Sequence, residues 1–311
     1  MLAIVLAIAP IFIVIVLGYL LRRGGIPSFE FWNLNDKLVY WVLMPALLFF
    51  NMSTARFDVA LVGGYAAVIL GSFAIALALG LAGPRLFRFP PPVASSILQG
   101  AARHNSFIAL AVAERLFGEE GLALASLAVA MLIPTTNISV VALMVGLVSK
   151  AKGMGIATAI LRDLIRNPLL VAVAAGVAWN FWIGPERQPV LHDIASILGG
   201  AALPIMLLCV GANLRVRAMA VAVGPTALAC LAKLIAFPAA ILVFSMVVGL
   251  TETQTMVALI FGAVPTAPAA YTLARQLGGD APLMAAIVTI QTAISFLTLP
   301  ATLTLAERYL F

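Results

Sequence analysis

Charge is what this chain lacks most. Only 10% of its 311 residues are Asp, Glu, Lys or Arg, where a soluble domain carries about 25%. A water-soluble fold of this length needs that polar coat, so a soluble globular protein is excluded. Cysteine is nearly absent: Cys209 and Cys230 lie inside apolar runs, which excludes a disulfide framework and leaves buried thiols. Histidine occurs twice, as His104 and His192, well separated, so a histidine metal centre goes too. No phosphate-binding glycine loop or nucleophile–base constellation is present. The expectation is no enzyme, no metal and no resident cofactor. The net charge of +6 suggests nucleic acid until the positions are read; the basic residues sit in short loops between apolar runs, so no nucleic-acid partner is expected.

What is present is apolar. Hydrophobic residues make up 63% of the chain, and the mean hydropathy is +1.13. Lipid can serve as solvent for such a surface. Runs long enough to cross a bilayer, about 20 residues each, fall at 2–21, 34–53, 59–82, 93–116 and 121–149. A second set falls at 165–183, 192–213, 219–249, 254–277 and 282–305. The first run lacks a basic leader and a small-residue cleavage site, so it reads as a span rather than a signal peptide.

The two sets read as copies. Pro10 and Gly18 recur as Pro168 and Gly176, and Gly100 recurs as Gly262. The stretch Phe117–Ala123 recurs as Leu277–Leu283, and Pro45 matches Pro204. Five spans per copy make the second enter the bilayer from the opposite side. The expected fold is an all-α polytopic membrane protein of ten helices in an inverted five-plus-five repeat. Residues 1–150 form the first copy, 151–164 a cytoplasmic linker and 165–311 the second. Loops after odd-numbered spans hold Arg22, Arg23, Arg85, Arg88, Lys150, Lys152, Arg162, Arg215 and Arg217. Loops after even-numbered spans hold Arg56 and Arg187 beside Asp58, Glu119, Glu120, Glu186 and Glu252. The positive-inside rule therefore puts both termini outside the cytoplasm. A repeat of this kind points to a transporter whose site lies between the halves.

Spans four and nine should be broken. Span nine contains Gly262-Ala263-Val264-Pro265-Thr266-Ala267-Pro268, and each proline removes a donor and disfavours helix before it. Span four carries Arg103, His104, Asn105 and Ser106 at the matching depth, without a proline. A mid-span arginine costs about 2.5–3.5 kcal/mol on insertion scales, and Arg103 lies too deep for easy snorkelling. Broken ends expose amides and carbonyls, and the N-termini of the second halves favour anions. Asn105, Ser106 and Thr266 are suitable caps there. Arg103, at the end of the first half, suits the exposed carbonyls or a carboxylate substrate.

Other polar groups fall inside spans. Lys233 lies midway along span eight, where it can take the electrostatic place of a coupling cation or release a proton as the site fills. Thr136 and Asn137 in span five, and Gln291 and Thr292 in span ten, can line the cavity or supply oxygen ligands to substrate or sodium. Asn51 and Asn213 lie near the ends of spans two and seven, beside Pro45 and Pro204, and can line the scaffold side. No acidic residue occupies the middle of a span, so a sodium site would depend on neutral oxygens. The coupling ion is expected to be a proton or sodium.

At Arg103-His104-Asn105-Ser106-Phe107-Ile108-Ala109-Leu110 and Pro265-Thr266-Ala267-Pro268-Ala269-Ala270-Tyr271-Thr272-Leu273-Ala274, the chain resembles the auxin efflux carrier family. The likeness is to its short bacterial members, permeases for malonate, malate and other organic acids. Thr298-Leu299-Pro300 fits as well. The resemblance implies an architecture shared with bile acid sodium symporters and sodium/proton antiporters. Spans 1, 2, 6 and 7 would form a scaffold, and spans 3, 4, 5, 8, 9 and 10 a transport domain moving as an elevator. It further implies a homodimer through the scaffold and a bacterial inner-membrane location. Plant auxin carriers resemble one another in having a proline at both breaks and a long cytoplasmic loop. This chain has neither feature in full, which counts against auxin itself.

Three functions fit the spans. A secondary carrier of small organic anions accounts for the repeat, the breaks and Arg103 together, with Pro265, Thr266 and Pro268 as the opposite wall of the site. A membrane sensor on the same bundle would need a signalling domain, which the chain lacks, and an exporter of an auxin-like aromatic carboxylate is the third. A channel would differ by unsaturable flux without counterflow.

Overall fold

The computed structural model describes residues 2–55, 59–148, 165–184, 186, 188–216 and 223–310. The linker expected at 151–164, with Lys150, Lys152 and Arg162, lies outside these residues, as do Arg56, Asp58, Arg187 and Arg217. The described residues are helical, with no strand among them.

In chain order the helices are α1 (Leu2–Arg23), α2 (Phe29–Leu38), α3 (Met44–Thr54), α4 (Val59–Leu86), α5 (Pro91–Ala102) and α6 (Ser106–Val148). Then come α7 (Pro168–Trp182), α8 (Leu191–Ala212), α9 (Val223–Leu231), α10 (Phe237–Val248), α11 (Glu252–Ala263), α12 (Ala269–Leu277) and α13 (Ala281–Leu310). Seven stretches among the described residues are long and apolar enough to cross a membrane. One of them, Pro91–Val148, runs for 58 residues, far beyond a single crossing. It is interrupted at 103–105, and again at Gly118, whose φ of 59° and ψ of −142° no helix contains. Conversely, α11 and α12 have 12 and 9 residues, too few to cross singly, and α7 has 15. The count of seven differs from the expected ten at the 58-residue stretch, at α7 and at the pair α11–α12.

Prolines shape two further helices. The turns Val39–Leu43 and Ala232–Ala236 are π-helical, and each ends two residues before a proline, Pro45 or Pro238. A proline withholds its N–H and crowds the carbonyl a turn earlier, and one extra residue in the turn relieves both. These turns join α2 to α3 and α9 to α10 as continuous rods.

The helices pack in two groups. In the first, α1 lies along α8, and α3 lies along α7 and α8. Glycine permits the close approach: a Cβ at Gly18 of α1 would stand 2.0 Å from the Leu208 carbonyl oxygen of α8. A Cβ at Gly176 of α7 would stand 2.9 Å from the Phe49 carbonyl oxygen of α3. These two glycines, 158 residues apart in sequence, each seat the first helix of one half on a helix of the other. In the second group α4 packs on α5 and α10, α6 on α5 and α11, and α13 on α5, α11 and α12. The groups meet where α6 and α13 touch α1, and where α6 touches α3 and α8. Apolar side chains face outward around the bundle, among them Leu6, Ile13, Ile197, Val243 and Leu297. Water would penalise that surface; hydrocarbon does not.

The end of α3 is held by Asn180 of α7. Its amide lies 3.1, 3.1 and 2.6 Å from the carbonyl oxygens of Met52, Ser53 and Ala55. Asn180→Ala is expected to lower stability by about 1–3 kcal/mol, because partly buried carbonyls lose their donor. Thermal unfolding in detergent, with Asn180→Asp as a shape control, measures this.

Candidate functional site

The two interrupted helices meet at their breaks. After α5, Arg103 is extended, with φ −72° and ψ 149°; after α11, Val264 adopts φ −69° and ψ 151°. The matching backbones pair Arg103 with Val264, 161 residues apart. Gly100 therefore aligns with Phe261, one residue off the Gly262 pairing that the sequence suggests.

Each break supplies what the other is missing. Asn105 donates its backbone N–H to the Pro265 carbonyl at 2.7 Å. The Gly100 carbonyl, freed by the end of α5, accepts from the Thr266 hydroxyl at 3.0 Å and from Gln291 Nε2 at 2.8 Å. Gln291 Oε1 in turn accepts the Thr266 backbone N–H at 2.9 Å. Asn105 is a true cap, since its Oδ1 accepts from the N–H groups of Phe107 and Ile108. Thr266 is not one. Its hydroxyl braces the opposite helix, and Pro268 precedes the first turn of α12 instead.

Lys233 completes the arrangement. Its Nζ donates to the Phe261 carbonyl at 2.9 Å and lies 4.4 Å from the Phe237 ring centroid. Within a helix the Phe261 carbonyl would take the N–H four residues on, but that residue is Pro265. The ammonium replaces the missing donor at a helix C-terminus, the end that favours a cation. Arg103 turns away from the carbonyls; its Nη2 donates to Asn137 Oδ1 of α6 at 3.1 Å. Neither cation meets a carboxylate among the described residues. His104 packs edge-on against Phe261, with centroids 5.8 Å apart.

Several polar atoms here are buried without a partner among the described residues: both amide atoms of Gln99, Arg103 Nε, His104 Nδ1, Asn105 Nδ2 and Thr136 Oγ1. Most buried polar groups find a partner. A run of exceptions between positions 99 and 105 marks the region as more than packing. Ser106 is buried at the first turn of α6, and Thr292 satisfies its hydroxyl within its own helix on the Val288 carbonyl. Sequence reasoning missed Gln99 and the Phe261 carbonyl; the second is readable from a proline four residues on.

Asn51 and Asn213 lie elsewhere, in two cavities that open towards opposite ends of α8. The first, about 530 Å³, is bordered by Asn51, Glu114, Glu119, Glu120, Gln254 and Pro204. Asn51 there donates to Ser126 Oγ at 3.2 Å. The second, also about 530 Å³, is bordered by Asn213, Arg22, Asp36, Arg215 and Arg275, and reaches Phe107, Ala267 and Pro268 at the breaks. Asn213 donates to Asp36 Oδ2 at 2.9 Å and accepts from Arg22 at 3.3 Å. Along α8 the cavities reach Pro204 and Met206 respectively, about 3 Å apart at the helical rise.

Crossed breaks, reached by one of two cavities that lie towards opposite ends of α8, suit a protein that passes solute across a membrane. A family profile described as "Membrane transport protein" matches residues 3–303. The chain belongs to that family. It is also similar to an "Uncharacterized transporter" of Methanothermobacter thermautotrophicus, with 24% identity over 295 residues, 93% of this chain and 94% of the relative. The protein is thus a multi-pass membrane transporter.

Proposed function

We propose that this transporter is a secondary carrier of small organic anions, carboxylates above all, working by elevator-type alternating access and coupled to a proton or sodium. One observation carries the reading: Lys233, fully buried, and Arg103, half-buried with its Nε enclosed, lie beside crossed helix breaks with no carboxylate partner among the described residues. Uncompensated buried charge is costly unless a counter-ion arrives. A carboxylate substrate is that counter-ion, held by Arg103 with Asn105, Ser106 and the Pro265–Pro268 wall, while Thr136, Asn137, Gln291 and Thr292 border it.

The remaining features follow as part of the same proposal. Ten spans in an inverted repeat give α1, α2–α3, α7 and α8 as scaffold and the other helices as the moving group. The two packing groups and the equivalent seating of Gly18 and Gly176 support this division. Cavities that nearly meet along α8 support access alternating across a thin barrier. The basic end faces the cytoplasm, both termini lie outside it, the membrane is the bacterial inner membrane, and the scaffold dimerises.

The test is a thermal-shift screen of purified protein against acetate, benzoate, malonate, malate and citrate, with and without sodium and across pH. At least one carboxylate is expected to raise Tm, and Arg103→Ala to remove the shift. If no carboxylate stabilises the wild type, or Arg103→Ala responds equally, the anion site is wrong.

A further inference from the structure

The two cavities are equal in size and differ in the charge of their described linings. The one bordered by Asn51 carries Glu114 and Glu120, with no cation among its described lining residues. The one that reaches the breaks carries Arg22, Lys37, Arg215 and Arg275 against Asp36 alone. Arg22 and Asp36 are tied to each other through Asn213, so their charges offset one another. Lys37, Arg215 and Arg275 remain, and the last two lie beside Tyr271 of α12.

Arg215 is built into its position. Its backbone N–H donates to Thr289 Oγ1 at 3.1 Å, its Nη1 donates to the Tyr271 hydroxyl at 2.9 Å, and its guanidinium lies 3.8 Å from the Tyr271 ring centroid. Stacking on an aromatic face holds the guanidinium plane while leaving its other N–H groups for an acceptor. Arg275 follows Tyr271 by four residues and so shares its face of α12. That helix begins at Ala269, directly after Pro268 at the end of the break.

We propose that Arg215 and Arg275, held about Tyr271, form a loading site for the carboxylate on the basic end of the transporter, so that the anion is taken up more tightly from that end than from the glutamate-lined one. The proposal rests on the anion-carrier reading and adds to it a site apart from Arg103. An anion entering from the basic end meets two guanidiniums before the breaks; one entering from the other end passes the Glu114 and Glu120 carboxylates. A charge-assisted hydrogen bond of this kind corresponds to about tenfold or more in affinity.

The experiment is transport of radiolabelled acetate, benzoate and malonate into proteoliposomes of both orientations. Labelling of an Arg23→Cys variant by an impermeant maleimide reports which end faces out. For the wild type, half-saturation is expected about tenfold lower from the basic end. Arg215→Gln and Arg275→Gln should raise it from that end only. Arg85→Gln, which removes a charge from the same end outside the cavity, should leave it unchanged. Equal half-saturation from both ends overturns the proposal, as does an Arg85→Gln effect equal to that of Arg275→Gln, which would mean general surface potential. Saturable transport that Arg103→Ala abolishes, without sidedness, sinks the loading site and spares the carrier reading. No transport of any of the three anions by the wild type sinks both.

Discussion

Lys233→Gln is expected to insert, fold and exchange substrate, yet to lose accumulation driven by an ion gradient. Lys233 is fully buried, and its ammonium does two separable things. As a donor it satisfies the Phe261 carbonyl, which Pro265 leaves without an intrahelical partner. As a charge it sits at the carbonyl end of α11, where a coupling cation would otherwise be favoured. Glutamine keeps a donor and removes the charge. Alanine removes both, and should in addition cost about 1–3 kcal/mol for the orphaned carbonyl. The measurement is uptake into proteoliposomes under an imposed pH or sodium gradient, set beside counterflow with no gradient. Gradient-driven accumulation should fall by about tenfold or more in both variants, the size expected when a buried charged interaction of 1.4 kcal/mol or more is lost. Counterflow should persist in Lys233→Gln. Wild-type accumulation in either variant would remove Lys233 from the coupling step and leave it as a helix cap. Loss of counterflow together with accumulation would make it part of the substrate site.

The fold was legible where the physics is local. Apolar runs announce themselves because lipid demands them, and the break after α11 is written in Pro265 and Pro268. The break after α5 has no proline. It could be suspected only from polar residues at a costly depth, and its register came out one residue away from the glycine pairing, since backbone dihedrals and not glycines define it. Of the three expected caps one holds: Asn105 caps α6, whereas Ser106 is already the first residue of that helix and Thr266 spends its hydroxyl across the interface on Gly100. A hydroxyl beside two competing acceptors cannot be assigned from sequence. The cavities were not legible at all. Arg22, Asp36 and Asn213 come from three helices spread over most of the chain, and Asn213 was read as sharing a wall with Asn51, which borders the opposite cavity. Such charge pairings depend on which helices become neighbours, and hydropathy carries no record of that.

Gln291 shows how far the crossing depends on one side chain, and Gln291→Leu is expected to be the most destabilising substitution at the site. The amide is fully buried. It donates to the carbonyls of Gly100 at 2.8 Å and Ala229 at 3.3 Å, and accepts from the Thr266 N–H at 2.9 Å. Three helices, α5, α9 and α13, and the break after α11 are thereby joined through one group. Leucine fills nearly the same volume, so the loss is polar rather than a cavity. It leaves the Thr266 N–H without an acceptor, where water has no easy access. A loss of about 2–4 kcal/mol follows from orphaned buried groups of this kind. Gly100 keeps the Thr266 hydroxyl, so Thr266→Val should cost more in the Gln291→Leu background than alone, because the carbonyl then has no donor left. A double-mutant cycle on unfolding in detergent should give a coupling of about 0.5–3 kcal/mol. Additive effects would mean that the two donors do not share the Gly100 carbonyl. Anion-induced stabilisation read on the same samples separates the roles: if the brace positions the breaks, Gln291→Leu loses the shift at temperatures where the protein is still folded. A retained shift would confine Gln291 to holding the helices together.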